Sequence, residues 1–198
     1  MSRSLEYFAL GLAFASVVPY IGEIIWGLGR PHKTTWFVWF CVNLVAFFVY
    51  RNAPHATNET SLMLYASAGI PFFIFLLSLW KGEGGTFSLR EKASIAVACV
   101  GGVTWGLFGI TTIGLLAHAS AHFAGSTLTI EKAWRDPHSE SLVSWGMSTV
   151  SWIIVCRVSP SWPYPESITT IYLSGINALV MGVLITRRIS LWEKAVAP

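Results

Sequence analysis

Gly29-Arg30-Pro31-His32-Lys33-Thr34-Thr35-Trp36-Phe37-Val38-Trp39 and Arg135-Asp136-Pro137-His138-Ser139-Glu140-Ser141-Leu142-Val143-Ser144-Trp145 lie 106 positions apart in the chain. Three residues coincide: Pro31 with Pro137, His32 with His138, and Trp39 with Trp145. The same offset lays the apolar stretch before each copy, and the two after it, onto their counterparts. A three-helix unit is therefore read as duplicated, an organisation that suits a transporter.

Composition sets the solvent. Of the 198 residues, 54% are hydrophobic and 12% charged, and the mean hydropathy is +0.57. A soluble domain carries about a quarter of its residues as charged groups. A hydrocarbon core about 30 Å thick takes about 20 apolar residues per helix. The chain accommodates seven such helices, expected at about 5–28, 34–50, 61–80, 91–110, 112–131, 140–157 and 167–186. The fold class expected is all-α, seven transmembrane helices in a 3+1+3 parallel repeat of triple-helix bundles. Its units are 1–86, a linker helix over 87–110, and 111–198. Gly109 to Gly114 offers the break between the fourth and fifth helices. Ala13-Phe14-Ala15 resembles a signal-peptide cleavage site, but the apolar run continues past it and Glu6 interrupts any basic lead.

Charge distribution orients the helices. Arg3, Arg51 and Arg157 fall on one face, and every other lysine and arginine falls on the opposite one. The positive-inside rule then places the C-terminus in the cytoplasm and the N-terminus outside. The expected location is the inner (plasma) membrane, with the lipid bilayer as partner. The pI near 8.9 reports these loops, and no nucleic-acid partner is implied. Trp80, Trp134 and Trp192 suit an aromatic belt at the cytoplasmic boundary. Cys41, Cys99 and Cys156 form no CxxC and read as small buried hydrophobes.

Polar residues inside a span are costly unless paired or wet. His118, His122, Ser126 and Thr129 share a face of the fifth helix. Ser167, Thr170, Ser174, Asn177 and Met181 share one on the seventh, and Ser141, Ser144 and Ser148 one on the sixth. Two readings are open: these stripes line a hydrated path, or they tie helices together by hydrogen bonds. Asn177 and His122, near mid-span, are the leading path candidates. His118 and His122 at i and i+4 lack a third and fourth ligand, so neither a metal nor another cofactor is expected. A proton-coupled histidine is the alternative to a neutral, bonded one.

Glu23 lies about a turn and a half from the cytoplasmic end of the first helix. It reads either as an ion-pair anchor, with Arg30, Lys33 or Lys132, or as a protonatable gate. Pro19 and Pro71 interrupt helices, as hinges or as static bends. Trp39 and Asn43 on the second helix, with Trp145 on the sixth, can present aromatic faces to a solute. Thr34 and Ser139 are available helix caps, with Glu140 placed to suit the dipole. Gly102 and Gly106 form a GxxxG, read as helix packing, within the protein or at a homo-oligomer contact.

Three helices, a linker and three more, with a motif after the first helix of each unit, resemble the SWEET/PQ-loop superfamily. The second copy carries Ile130, Lys132, Arg135 and Ser139-Glu140-Ser141-Leu142 in the manner of that family's loop. The first has Pro19-Tyr20-Ile21 where Pro-Gln-Ile stands in the family. The Pro-Gln dipeptide itself is absent from both copies, with Leu128-Thr129 at the second site. The resemblance implies a solute path between two rocking bundles and asparagines on the third and seventh helices. Asn177 meets the second expectation, and Pro71 occupies the place of the first. The function expected is transport of a small polar solute (sugar, amino acid or vitamin-like) by alternating access. The alternative is a non-transporting receptor or assembly partner on the same fold. No catalytic set is legible, and no enzyme is expected.

Overall fold

A computed structural model describes residues 2–84, 86–158, 165 and 167–196. Among these, regular structure is helical throughout: α1 (Ser2–Ala15), α2 (Val17–Ile25), α3 (Lys33–Arg51), α4 (Asn58–Lys81), α5 (Leu89–Phe108), α6 (Thr111–Arg135), α7 (Leu142–Val158) and α8 (Ser167–Val196). With α1 and α2 taken as one interrupted segment, the described residues form seven helices, as expected. Four stretches are long and apolar enough to cross a membrane: Ser4–Ile25, Lys33–Arg51, Thr60–Lys81 and Ser167–Val196. Leu142–Val158 is apolar but shorter.

Two prolines shape the first helices differently. A proline lacks the N–H that would bond the carbonyl four residues back, and its ring crowds that carbonyl. For Pro19 that carbonyl belongs to Ala15, and the helix is interrupted there, between α1 and α2. For Pro71 it belongs to Ser67, yet α4 runs on unbroken. The Asn43 side chain of α3 takes over the freed group: its Nδ2 donates to Ser67 O at 2.9 Å. Further along, Gly109 adopts the left-handed conformation (φ 67°) that ends α5 and lets α6 start at Thr111. The break therefore falls within the Gly109–Gly114 window.

Some helix ends differ from expectation. α8 continues to Val196, ten residues past 186, because its basic residues find partners there. Arg187 lies over the Trp134 ring and donates to Trp134 O. Arg188 donates to Pro137 O and Glu140 O. Thr34 does not cap α3; its hydroxyl bonds the carboxylate of buried Glu91, which closes the α5 capping box with Ser88. At α7 the cap is Ser141, which accepts from Ser144 N, while Ser139 bonds back to Asp136 O.

Helix α4 packs against α1, α2 and α3, and α8 packs against α6 and α7. The two sets meet through α1 and α2 on α7 and through α3 on α6; α5 lies against α6 and α3. Large apolar side chains cover the outside as well as the core, and many polar ones are buried. Val100, Leu107, Phe73 and Trp26 face outward, whereas His118, Ser126, Asn43 and Thr170 are buried. Hydrocarbon, unlike water, rewards that arrangement. Trp80, Trp134 and Trp192 are exposed, with Lys81 over Trp80. Cys99 is also exposed, contrary to the expectation of three buried thiols; Cys41 and Cys156 are partly covered, and all three are free.

Within the protein, the closest glycine packing on α5 is at Gly101 and not at the GxxxG pair. Gly106 faces open space and Gly102 meets Val45, whereas a methyl group on Gly101 would lie 2.1 Å from Ala117 Cβ. The α5–α6 contact therefore depends on Gly101. Overpacking a close contact costs about 1–3 kcal/mol. Gly101→Ala is accordingly expected to lower the thermal unfolding midpoint of the detergent-purified protein. Gly106→Ala should leave the midpoint unchanged or raise it slightly, through helix propensity.

Candidate functional site

A cavity of about 120 Å³ lies where the two sets of helices meet. Its walls come from every helix except α5. Tyr20, Trp36, Trp39, Trp145 and Trp152 supply aromatic rings, and Asn43, His122, Ser148 and Asn177 supply polar groups. Ile70, Pro71, Ile74, Leu173, Ile176 and Val180 complete it. Trp36 and Trp145 each meet Trp39 edge-on, at ring-centroid distances of 5.0 and 6.1 Å. His122 is parallel to Trp39 at 5.1 Å. A methyl group on Gly125 would lie 3.1 Å from the Trp39 indole nitrogen, so this glycine leaves the ring its place.

Of the residues singled out in the sequence, Asn177, Ser148, His122, Trp39, Trp145 and Asn43 all reach the cavity. Ser148 donates to Asn177 Oδ1, and Asn177 Nδ2 donates to Leu173 O, each at 2.8 Å. His122 Nδ1 is held by the Tyr172 hydroxyl (2.9 Å) and Ser126 Oγ (3.1 Å), leaving Nε2 as its other nitrogen. Asn43 donates to Ser67 O, which fixes its Oδ1 as an acceptor; His118 Nε2–H donates to it at 2.9 Å. His118 is thereby a buried link between α3 and α6, does not line the cavity, and has Nδ1 without a partner.

Three others stand apart from the cavity. Ser174 donates to Trp152 O and Thr170 O. Pro19 acts through the α1–α2 interruption. Glu23 accepts from Ser141 Oγ at 2.8 Å, which joins α2 to the start of α7. Several stripe hydroxyls bond carbonyls of their own helix, as Ser126, Thr170 and Ser174 do. That is a third use, beyond the two expected.

The sequence reading overlooked the most connected group at the site. Glu140 is 3% exposed. Its Oε2 accepts from the Tyr20 hydroxyl (3.2 Å) and the Trp145 indole N–H (3.1 Å), and its Oε1 from Lys132 Nζ (3.2 Å). Lys132 also binds the Arg30 carbonyl and lies 3.5 Å from Glu83. This cluster joins α2 to α6 and α7 behind the Tyr20 and Trp145 rings. On its far side is a wider, charged recess of about 350 Å³, lined by Arg30, Glu83, Lys132, Arg135, Asp136 and Glu140. Trp36 borders both spaces. At the opposite end of the cavity, Ala9, Ala13, Met63, Trp152, Val155 and Leu173 pack into one apolar cluster. Glu140 was legible only as an acid at a helix start; its partner Tyr20 is 120 positions away.

No protein-family model, curated protein or solved structure matches the chain.

Removing one partner of a buried ion pair costs about 3–5 kcal/mol, because the other charge stays buried. Lys132→Met is expected to destabilise the protein by about that amount. Adding Glu140→Gln to the same chain should recover most of the loss. A double-mutant cycle by denaturation in detergent measures this coupling; additive losses would mean that the two groups do not depend on each other.

Proposed function

We propose that this chain is a seven-span inner-membrane protein of two parallel three-helix units, 1–86 and 111–198, joined by a linker helix over 87–110. In this reading it carries a small solute by rocking one unit against the other. The observation that carries the proposal is the cavity wall itself. At the 106-residue offset, Ser16 pairs with His122, Tyr20 with Ser126, Trp39 with Trp145, Ser67 with Leu173, Ile70 with Ile176, Pro71 with Asn177 and Ile74 with Val180; all of these residues line it. Few of those residues are identical in the pairs, so what the two copies share is position. A repeat that places equivalent positions around one central space has its pseudo-symmetry axis running through that space. This is the placement alternating access needs.

The helix contacts support the same reading. The third helix of each unit lies against both others: α4 on α1, α2 and α3, and α8 on α6 and α7. Exchange of the units maps the α1–α7 contact onto the α3–α6 contact. The two ends of the cavity are closed by different chemistry. The Glu140 cluster closes one end by directional bonds between units, and apolar packing closes the other. Opening the first end breaks the Tyr20–Glu140 and Ser141–Glu23 bonds and parts Lys132 from the Arg30 carbonyl and Glu83, while Lys132 and Trp145, both in the second unit, stay with the carboxylate. The positive-inside rule puts the Glu140 end in the cytoplasm, with Lys81, Arg135 and Arg188. On this reading the resemblance to the SWEET/PQ-loop superfamily lies in architecture, without the Pro-Gln dipeptide.

Two measurements test this. A reporter fused after Val196 should fold and fluoresce in the cytoplasm, and an alkaline phosphatase fused at the same point should be inactive. In a chain with Cys41, Cys99 and Cys156 replaced by serine or alanine, Ser148→Cys should react with a membrane-impermeant thiol reagent from either side of sealed vesicles. Glu140→Gln should raise its labelling from the cytoplasmic side. Labelling from one side only, unchanged by Glu140→Gln, would instead favour a fixed receptor or assembly partner.

A further inference from the structure

The chemistry of the cavity walls narrows the solute, given the reading above of the cavity as a solute site. Among the described residues lining it there is no Asp, Glu, Lys or Arg. The nearest ionised pair, Glu140 and Lys132, satisfies itself behind the Tyr20 and Trp145 rings. An ion moved from water into this space would lose its hydration and meet no counter-charge.

The hydrogen-bonding capacity that remains is also specific. The Ser16, Ser67 and Ser126 hydroxyls give their protons to backbone carbonyls, and Ser148 gives its proton to Asn177. What these oxygens still offer is lone pairs. Asn43 and Asn177 have each used one amide N–H and the carbonyl oxygen, and retain one N–H. Trp39 Nε1–H and the Ser144 hydroxyl, also on the wall, have no partner among the described residues. The wall therefore presents donors as well as lone pairs and asks for a solute group that both accepts and donates. About 120 Å³ is somewhat less than the apolar protein cavity of about 150 Å³ that admits benzene, which makes about one ring the upper bound. Five aromatic rings on the wall suit a flat apolar face.

We infer that the cavity takes an uncharged solute of about one ring, bearing a group that both donates and accepts hydrogen bonds, of the primary-amide type. Phosphorylated compounds and zwitterions such as free amino acids are excluded by the same argument. So is a chain of linked rings, by volume.

Benzamide, benzoate and benzamidinium share one shape and differ in charge, so they isolate the charge preference. Their binding to the full-length protein in lipid nanodiscs can be measured by isothermal titration calorimetry at neutral pH. Benzamide is expected to bind at least about tenfold more tightly than either ion. In Asn177→Asp the introduced carboxylate should reverse the order in favour of benzamidinium, which also locates the site. Ser148→Asp makes the same test from the facing helix if Asn177→Asp does not fold. Tighter binding of benzamidinium to the unaltered protein would overturn the inference in favour of an aromatic cage for organic cations. Tighter binding of benzoate, or no binding of any of the three, would overturn it as well. Either result leaves the transport reading to the Ser148→Cys accessibility measurement, which needs no ligand.

Discussion

The Asn43 side chain, 2% exposed, joins three helices. Its Nδ2 satisfies the Ser67 carbonyl that Pro71 leaves without a helical partner, and its Oδ1 receives the His118 N–H. Each half of this arrangement would be costly alone, since a free carbonyl or an unpaired imidazole N–H in an apolar medium carries a full desolvation penalty. Together they hold α3, α4 and α6 in register. They also place Trp39, one turn before Asn43 on α3, against His122, one turn after His118 on α6. The aromatic wall of the cavity follows from that register.

A second constraint acts at the end of the cavity. Glu140 is a buried carboxylate with Lys132, Tyr20 and Trp145 around it. Such a cluster adds little net stability compared with apolar packing, but it has only one satisfied geometry. Apolar contacts at the other end, among Ala9, Met63, Trp152 and Leu173, are non-directional and tolerate sliding.

In the proposed repeat, the two Pro-His stretches hold different partners. In the first, Thr34 bonds Glu91 at the start of the linker helix. In the second, the equivalent position is Glu140, which turns toward Tyr20 and Lys132 instead. In that reading one backbone position anchors α5 in the first copy and holds Tyr20 and Lys132 in the second. Pro71 and Asn177 diverge similarly: the first removes a backbone donor, and the second adds an amide to the wall.

Much of the architecture was legible in the chain. Hydropathy and length located the helices, because a span must be apolar over about 20 residues whatever its neighbours. The 106-residue offset, and the polar stripes on single helix faces, pointed to Asn177, His122, Ser148, Trp39, Trp145 and Asn43, all of which reach the cavity. Periodicity states which residues share a face, but not what that face meets. For that reason Ser174 and His118, on the expected stripes, proved to be bonded elsewhere, and the tightest α5–α6 approach fell at Gly101. Glu140 was hidden for the same reason: its partners come from α2 and α6, and sequence separation carries no information about which helix ends converge. The helices and their inward faces were thus determined by the sequence alone, because they follow from local periodicity and solvent. The tertiary structure alone decided which polar groups are consumed in mutual bonds and which remain on the cavity wall, because each needs a partner from a distant segment.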